Sequence, residues 1–439
     1  MNKLLLPFEW KSLAGKSENV VGNWKHEGVI FPFTEPWGDE FSSFFPSSRI
    51  ETGDSVRYYY SLCSITKPER EVAWLALAVR EGDTFRKYRL SDNPADYFSL
   101  TGLPEDCRPI QPVVLRLAEN DWRMYFWIHG PGKCRFLMAS STNGLNWQVS
   151  GIPLLYHYPN DPEAASRPLQ SSNDATTVYQ REDRTFEIYS AAKTFVQPDS
   201  PHYFEKDHAG GCIRIIQRWT SRDGLNLSEP DVILTPDGLD PPDLQFYYLS
   251  CLDAGNYRFG FVGRYRIDAQ RMDLELVYSV DGLHWERPFR DSCFPLQFPE
   301  EAFGVYAAAS IYLEGSTVCM PYTATNTAHN AEACSEERSI RRICLATIPL
   351  HQLFGRQMTN GALLSPPVRT LARSQTFHFR AGDRLRLSVM NAFGEKELMS
   401  REITADSTGR YQLEYPDDLF NKVVRFKLDG DFTLFTQEM

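Results

Sequence analysis

The side chains best placed to do chemistry stand where strand-like segments begin and end. Gly263-Arg264-Tyr265-Arg266 leaves an aromatic strand carrying two arginines. A guanidinium presents a planar fork that grips a carboxylate or a phosphate through paired hydrogen bonds. Turned inward, Arg264 and Arg266 would take a carboxylate or phosphate group of a ligand; turned outward, they are an ordinary surface edge. His329 follows the comparable strand of the next group, in Thr325-Asn326-Thr327-Ala328-His329. Asp174, in Ser172-Asn173-Asp174-Ala175-Thr176, opens a strand, where a carboxylate either faces a site or closes an Asx turn. The other strand openings offer Phe45, Gln111, Gln245 and Tyr306, none of them acidic. Gln111 and Tyr306 are expected to contact a ligand there. Trp37 offers a face on which a sugar can stack, while Trp127 reads as core. Glu205, Asp207 and His208 share a long loop at a spacing that matches no metal site. No zinc signature, Walker loop, G-x-G-x-x-G or nucleophile elbow is present, so no cofactor and no metal is expected.

The elements that position these residues are strands. In Leu274–Pro288, LELVYSVDGLHWERP, apolar and polar residues alternate as in a half-buried strand. Ser279-Val280-Asp281-Gly282 then turns the chain: Asp bonds its own backbone, Gly supplies a positive φ, and Trp285 returns against the strand just left. Weaker copies occur at Phe136–Trp147, with Asn143-Gly144 in the turn, and at Ile213–Leu227, where Leu227 replaces the tryptophan. Three copies in strand context read as an internal repeat. Helical periodicity is nearly absent. Paired strands recur in groups that begin near Phe44, Pro112, Ala175, Leu244 and Val305, each group with the length of a four-stranded propeller blade. After Gly355 the grammar changes. Leu363-Leu364-Ser365-Pro366-Pro367 reads as a linker. Beyond it, strands at Thr376–Phe379, Arg384–Val389, Tyr411–Tyr415 and Val423–Leu428 predict a small sandwich. It would serve as a structural cap or a carbohydrate-binding module.

Composition narrows the function classes. Across 439 residues, 57 Asp plus Glu stand against 46 Lys plus Arg, a net charge of -11. Nucleic acid and anionic membrane both require clustered positive charge, and neither is expected as a partner. Nine cysteines show no C-x-x-C pair and read as free thiols in a reducing compartment. The opening apolar run Leu4-Leu5-Leu6 is too short for a signal peptide, and no stretch approaches a membrane span. The expected location is the cytoplasm.

The repeated S-x-D-G-x-x-W turn, set in five strand groups, resembles the five-bladed propeller superfamily of furanosidases. That superfamily includes glycoside hydrolase families 32, 43, 62 and 68, with the family 130 phosphorylases nearby. The resemblance spans roughly Phe31 to Phe354. It implies an all-β chain: a five-bladed β-propeller over residues 1–357, then a C-terminal β-sandwich over 368–439 like that following the propeller in family 32. It further implies a carbohydrate substrate and three funnel carboxylates. Glycoside cleavage passes through an oxocarbenium-like state, which needs one carboxylate beneath the sugar and a protonated one above the leaving oxygen. A third can raise the acid's pKa and hold hydroxyls. Carried over, Asp39 (or Glu40) becomes base or nucleophile, Asp174 the orienting carboxylate, and Glu301 (or Glu300) the general acid. His329 takes the place near the axis where such propellers often hold a histidine. The strand openings that lack acids keep two rivals in play. One is a non-catalytic propeller binding a glycan or protein; the other is a phosphorylase or transferase using Arg264 and Arg266. Sugar, linkage, stereochemical outcome and oligomeric state stay open.

Overall fold

The computed structural model describes residues 3–30, 41–53, 55–64, 73–157, 161–162, 170–171, 176–205, 210–329 and 341–438. Among them, helix is confined to short 3-10 turns such as Pro7–Glu9 and Leu350–Gln352. The architecture is an all-β propeller with a second β module beside it. Antiparallel units follow one another along the chain. The first joins Phe41–Thr52, Ser55–Ser64, Ala73–Glu81 and Thr84–Arg89. The second is built on Arg108–Ala118, Asp121–Gly130, Lys133–Ser141 and Asn146–Val149. In the third, Thr177–Gln180 precedes Phe186–Phe195, Cys212–Ser221 and Asp231–Leu234. An 8-stranded sheet then links Leu244–Ala254, Tyr257–Arg266 and Arg271–Ser279 to Gly304–Ala307, Thr317–Thr325 and Arg341–Pro349. One parallel pair, Met272 with Gly304, joins its halves. Its outer edge comes from Lys25–Val29, which pairs with Arg341–Pro349. Ile343 of this last unit packs with Tyr58, Tyr60 and Leu62 of the first, which brings the end of the propeller back to its start.

The innermost strand of each unit is an edge, and an edge leaves backbone donors and acceptors unpaired. Side-chain hydroxyls from the neighbouring unit satisfy them. Ser48 Oγ accepts the Val114 N–H (3.0 Å). Thr177 Oγ1 donates to the Leu249 carbonyl (2.6 Å). Tyr179 donates to Ala309 O (3.0 Å) while accepting the Cys251 N–H (2.8 Å). Tyr248 donates to Val305 O (3.2 Å) and accepts the Ala307 N–H (2.8 Å). Tyr248→Phe would leave that buried N–H without a partner and cost about 1–3 kcal/mol. A urea midpoint equal to that of the parent would remove the phenol from this role.

The repeated turn is built alike three times. Asn143, Asp223 and Asp281 each accept the N–H groups two and three residues on with one oxygen, at 2.8–3.0 Å. Ser141, Ser221 and Ser279 accept the N–H of Gly144, Gly224 and Gly282. Those glycines have φ of 72°, 76° and 73°, which side-chain-bearing residues resist. Each turn is also gripped from the preceding unit. Arg57 and Tyr59 donate to the carbonyls of Asn143 and Gly144 at 2.6 and 2.7 Å. Arg123 and Tyr125 do the same to Asp223 and Gly224. At the third junction Glu187 stands where arginine is expected and Tyr189 keeps its place. Arg258 reaches back to both, and Arg218 meets Glu187 at 2.7 Å.

The second module corrects the expected domain boundaries. Leu4–Leu5 pairs with Gln437–Glu438, and Lys11–Val20 pairs along Gly355–Leu364. The sheet order is Lys11–Val20, Gly355–Leu364, Val423–Phe435, Arg384–Asn391 and Glu397–Thr404. A smaller pair, Ser374–His378 with Arg410–Glu414, covers one apolar core with it. That core takes Leu5 and Trp10 from the N-terminal segment, Met358 from the strand Gly355–Leu364 and Leu363 from the supposed linker. Neither division at 357 nor at 368 holds: residues 4–20 and 355–364 belong to this module. The paired prolines stop the strand only after Leu364, and Ser365 then bonds Phe426 in both directions.

Candidate functional site

Two of the expected ligand contacts come together at the strand-opening end. His329 lies between two phenols, with Tyr247 Oη 2.7 Å from Nε2 and Tyr306 Oη 2.9 Å from Nδ1. A neutral imidazole has one donor and one acceptor nitrogen, so one tyrosine donates and the other accepts. Its backbone N–H donates to Gln270 O, which fixes the ring from behind. The ring of Tyr265 lies 4.8 Å from the imidazole and packs edge-on against Tyr247. Behind Tyr247 stands Arg214, 1% exposed, its guanidinium 4.8 Å from the ring centroid. Arg214 donates to Gln245 Oε1 at 2.6 Å, and Gln245 Nε2 donates to Cys212 O. The result is a packed set of aromatic rings, two phenols and a ring-backed cation around His329, drawn from neighbouring units, with Tyr265, Tyr247, Tyr306 and Arg214 all buried.

Arg214 and the two outer tyrosines were missed in the sequence. The signal for Arg214 was present: in Cys212-Ile213-Arg214-Ile215-Ile216 the arginine shares a face with buried Cys212 and Ile216. A charged residue on an apolar face needs a reason. Tyr247 and Tyr265 lie in the strands Leu244–Ala254 and Tyr257–Arg266, where the sequence singled out neither.

Gln111 lies inside the innermost strand of the second unit, Arg108–Ala118, in a left-handed conformation, φ 56°, where the ladder shifts register between Tyr125 and Trp127. Such a bulge re-aims a side chain. Its N–H donates to Ser61 Oγ at 2.7 Å, and the residue is 6% exposed with Oε1 lacking a hydrogen-bond partner. Trp127 is core, its Nε1 donating to Thr176 Oγ1.

The other described candidates need correcting. Arg264 and Arg266 do not border an anion-sized gap. Buried Arg264 meets Asp291 at 3.0 Å and Asp273 at 3.3 Å. Arg266 is clamped by both oxygens of Asp243, with contacts of 2.6 to 3.0 Å that hold its own pKa up. Glu301 is fully buried, 0% exposed, in the 3-10 turn Pro299–Glu301. Oε1 accepts from Tyr322 Oη (2.5 Å) and faces His26 Nδ1 (3.0 Å), while Oε2 accepts the N–H groups of Gln297 and Phe298. A general acid must reach its substrate, and this carboxylate instead ties the loop to the outer strand Lys25–Val29. Trp37, Asp39, Glu40, Asp174, Asp207 and His208 lie outside the described residues, as does the side chain of Glu300.

A cavity of about 520 Å³ sits at the opposite end, where the innermost strands finish. Segments around Ile50, Val114, Tyr179, Leu252 and Ile311 line it, one from each strand group. Its carboxylates are engaged, Glu51 with Arg49 and Asp253 with Arg181 and Arg258, so it offers no acid pair for glycoside chemistry. Among the described residues no cluster of three His, Cys, Asp or Glu could hold a metal. Cys107, Cys134, Cys212, Cys251, Cys293, Cys319 and Cys344 are free thiols, and no helix described is long and apolar enough to cross a membrane.

No family model matches the chain, and no curated protein matches it in sequence. Solved structures do. A structure described as a glycoside hydrolase aligns with a TM-score of 0.50 at 13% identity, over 75% of this chain and 92% of that one. The likeness is one of fold, an all-β propeller. Zg3597, a family 117 glycoside hydrolase of the marine bacterium Zobellia galactanivorans, reaches 0.48 at 14% identity, over 75% and 92% of the two chains. The β-1,2-mannobiose phosphorylase of Listeria innocua, in complex with β-1,2-mannobiose, also reaches 0.48, at 10% identity over 76% and 99%.

Proposed function

We propose that this protein is a glycoside hydrolase that binds its sugar at the strand-opening end of a five-bladed propeller and cleaves a glycosidic bond with acid assistance. Five blades follow if the 8-stranded sheet, held together by one residue pair, is counted as two. The second module is then a β-sandwich. The observation that carries the reading is the cluster around His329, with Tyr247, Tyr265, Tyr306 and ring-backed Arg214, on a glycoside hydrolase fold. The burial of Glu301 and its four hydrogen-bond partners speak for a structural role. The carboxylates left from the resemblance are Asp39 (or Glu40) as base or nucleophile, Asp174 as the orienting group and Glu300 as the acid, and the reaction requires an acid and a partner. Free thiols fit the cytoplasm or another reducing compartment.

A second reading, a glycan-binding propeller without turnover, is favoured by the ion-paired state of Asp243, Asp273 and Asp291 and by the buried, hydrogen-bonded state of Glu301. The phosphorylase reading loses its support, since Arg264 and Arg266 are already matched by carboxylates.

The test is a screen of aryl furanosides, aryl pyranosides and oligosaccharides, with and without phosphate. Parent turnover that falls a hundredfold or more in Asp174→Asn, roughly the scale of general acid–base or charge-stabilising roles, at unchanged thermal stability, is the expected result. Binding of an oligosaccharide with no turnover of it would replace the hydrolase with the lectin-like reading. Turnover that requires phosphate would restore the phosphorylase.

A further inference from the structure

The propeller and the second module meet through two imidazoles. His351 lies in the 3-10 turn Leu350–Gln352, which carries the chain out of the last propeller strand. His378 ends the strand Ser374–His378 of the second module. Their rings stack with centroids 4.2 Å apart and 25° between planes, and Phe435 stands edge-on to His351. Backbone bonds fix both residues. Thr436 N–H donates to His351 O at 3.0 Å, and Gln437 spans His378, accepting its N–H and donating to its carbonyl. His378 is 7% exposed, and its Nδ1 has no hydrogen-bond partner. A groove of about 370 Å³ runs beside the pair, lined by Gln352, Phe379 and Phe435.

We propose that this stacked pair makes the seam between the propeller and the second module a pH-sensitive latch, closed while both imidazoles are neutral and loosened when they take up protons.

The charges around the pair set the direction. Arg410 lies across the ladder from His378 and acts on both rings; Glu438, on the strand beside them, acts on His378. Arg380, two residues further on, is engaged with Gln357. The turn carrying His351 brings only Leu350 and Gln352, and Val423–Phe435 brings Phe435. A proton on either ring puts a cation in a desolvated site near Arg410; a second puts like charges face to face. Burial pushes the His351 imidazole down to about 3, with His378 and Arg410 adding to it. Burial and then Arg410 lower His378, against a smaller pull from Glu438. With both values depressed, the closed seam binds fewer protons than the open one. Closure is therefore at full strength above about pH 6.5 and weakens as pH falls, by up to tenfold per pH unit for each imidazole.

Hydrogen exchange on the full chain tests this. Protection factors at residues 349–358, 374–379 and 433–438 should drop more than tenfold between pH 6.5 and 4.5, while those of Tyr257–Arg266 hold. The double variant His351→Phe, His378→Phe keeps two stacked rings without a titratable nitrogen and should hold its seam protection over the same range. Seam and reference falling together would overturn the latch. NMR titration of the parent imidazoles decides independently of whether the variant folds: apparent pKa values well below 6.5 for both support it, and either ring titrating at 6.5 or above overturns it.

Discussion

Glu187→Gln should lower the free energy of unfolding by on the order of 3–5 kcal/mol. Glu187 is buried at the junction between the third unit and the 8-stranded sheet. It is bonded by Arg218 on one oxygen and by Arg258 and Tyr189 on the other. The amide is nearly the same shape, so packing is kept and what disappears is the charge. Two guanidiniums would then remain largely buried, their other carboxylates being the half-exposed Asp253 and Asp231. Leaving a buried charge uncompensated is what makes breaking such a pair costly. The readout is a urea midpoint shift at constant m-value. A shift below about 1 kcal/mol, the range of surface pairs, would show that the exposed aspartates carry the arginines unaided.

Glu301→Gln should cost on the order of 1–3 kcal/mol, and the same variant separates a structural acid from a catalytic one. The carboxylate faces Tyr322, His26 and two backbone N–H groups, and it accepts at both oxygens. A carboxamide keeps its oxygen for one of these sets and turns its NH2 to the other: against the backbone it meets two N–H donors, and against Tyr322 and His26 it requires the phenol to accept where it had donated. Midpoint loss with turnover retained in the surviving folded fraction is expected. An unchanged midpoint with turnover abolished would return Glu301 to the chemistry.

Much of the architecture was legible because turns and strand alternation are local. The Ser-x-Asp-Gly turn writes its own hydrogen bonds within four residues, and the structure repeats it atom for atom at Asn143, Asp223 and Asp281. What grips those turns was not legible. Arg57-x-Tyr59 and Arg123-x-Tyr125 act across units, on partners 86 and 100 residues away for the arginines. Lys11–Val20 gave no signal because nearly every residue of it is exposed, so neither face carries the alternation that betrays a strand. Glu397–Thr404 was missed for the same reason. Site residues suffered from the reverse problem. Arginines at a strand end look like anion ligands until Asp243, Asp273 and Asp291 are seen to reach them, and a glutamate before a strand looks free until its loop folds over it.

The interleaving of the early and late segments has a consequence for synthesis. Leu4–Leu5 and Lys11–Val20 find their partners in Gln437–Glu438 and Gly355–Leu364, and Lys25–Val29 finds its own in Arg341–Pro349. On the ribosome, the first strands must therefore wait for roughly 300–400 residues to follow, about 15–80 s at ordinary translation rates. During that interval the propeller lacks its closing edge and the second module lacks part of its core. Unpaired strands are where wrong partners add on. The N-terminal segment, polar along Lys11–Val20 and interrupted by Gly15, is thus composed for a long solitary wait: little in it invites a premature neighbour before the correct one has been made.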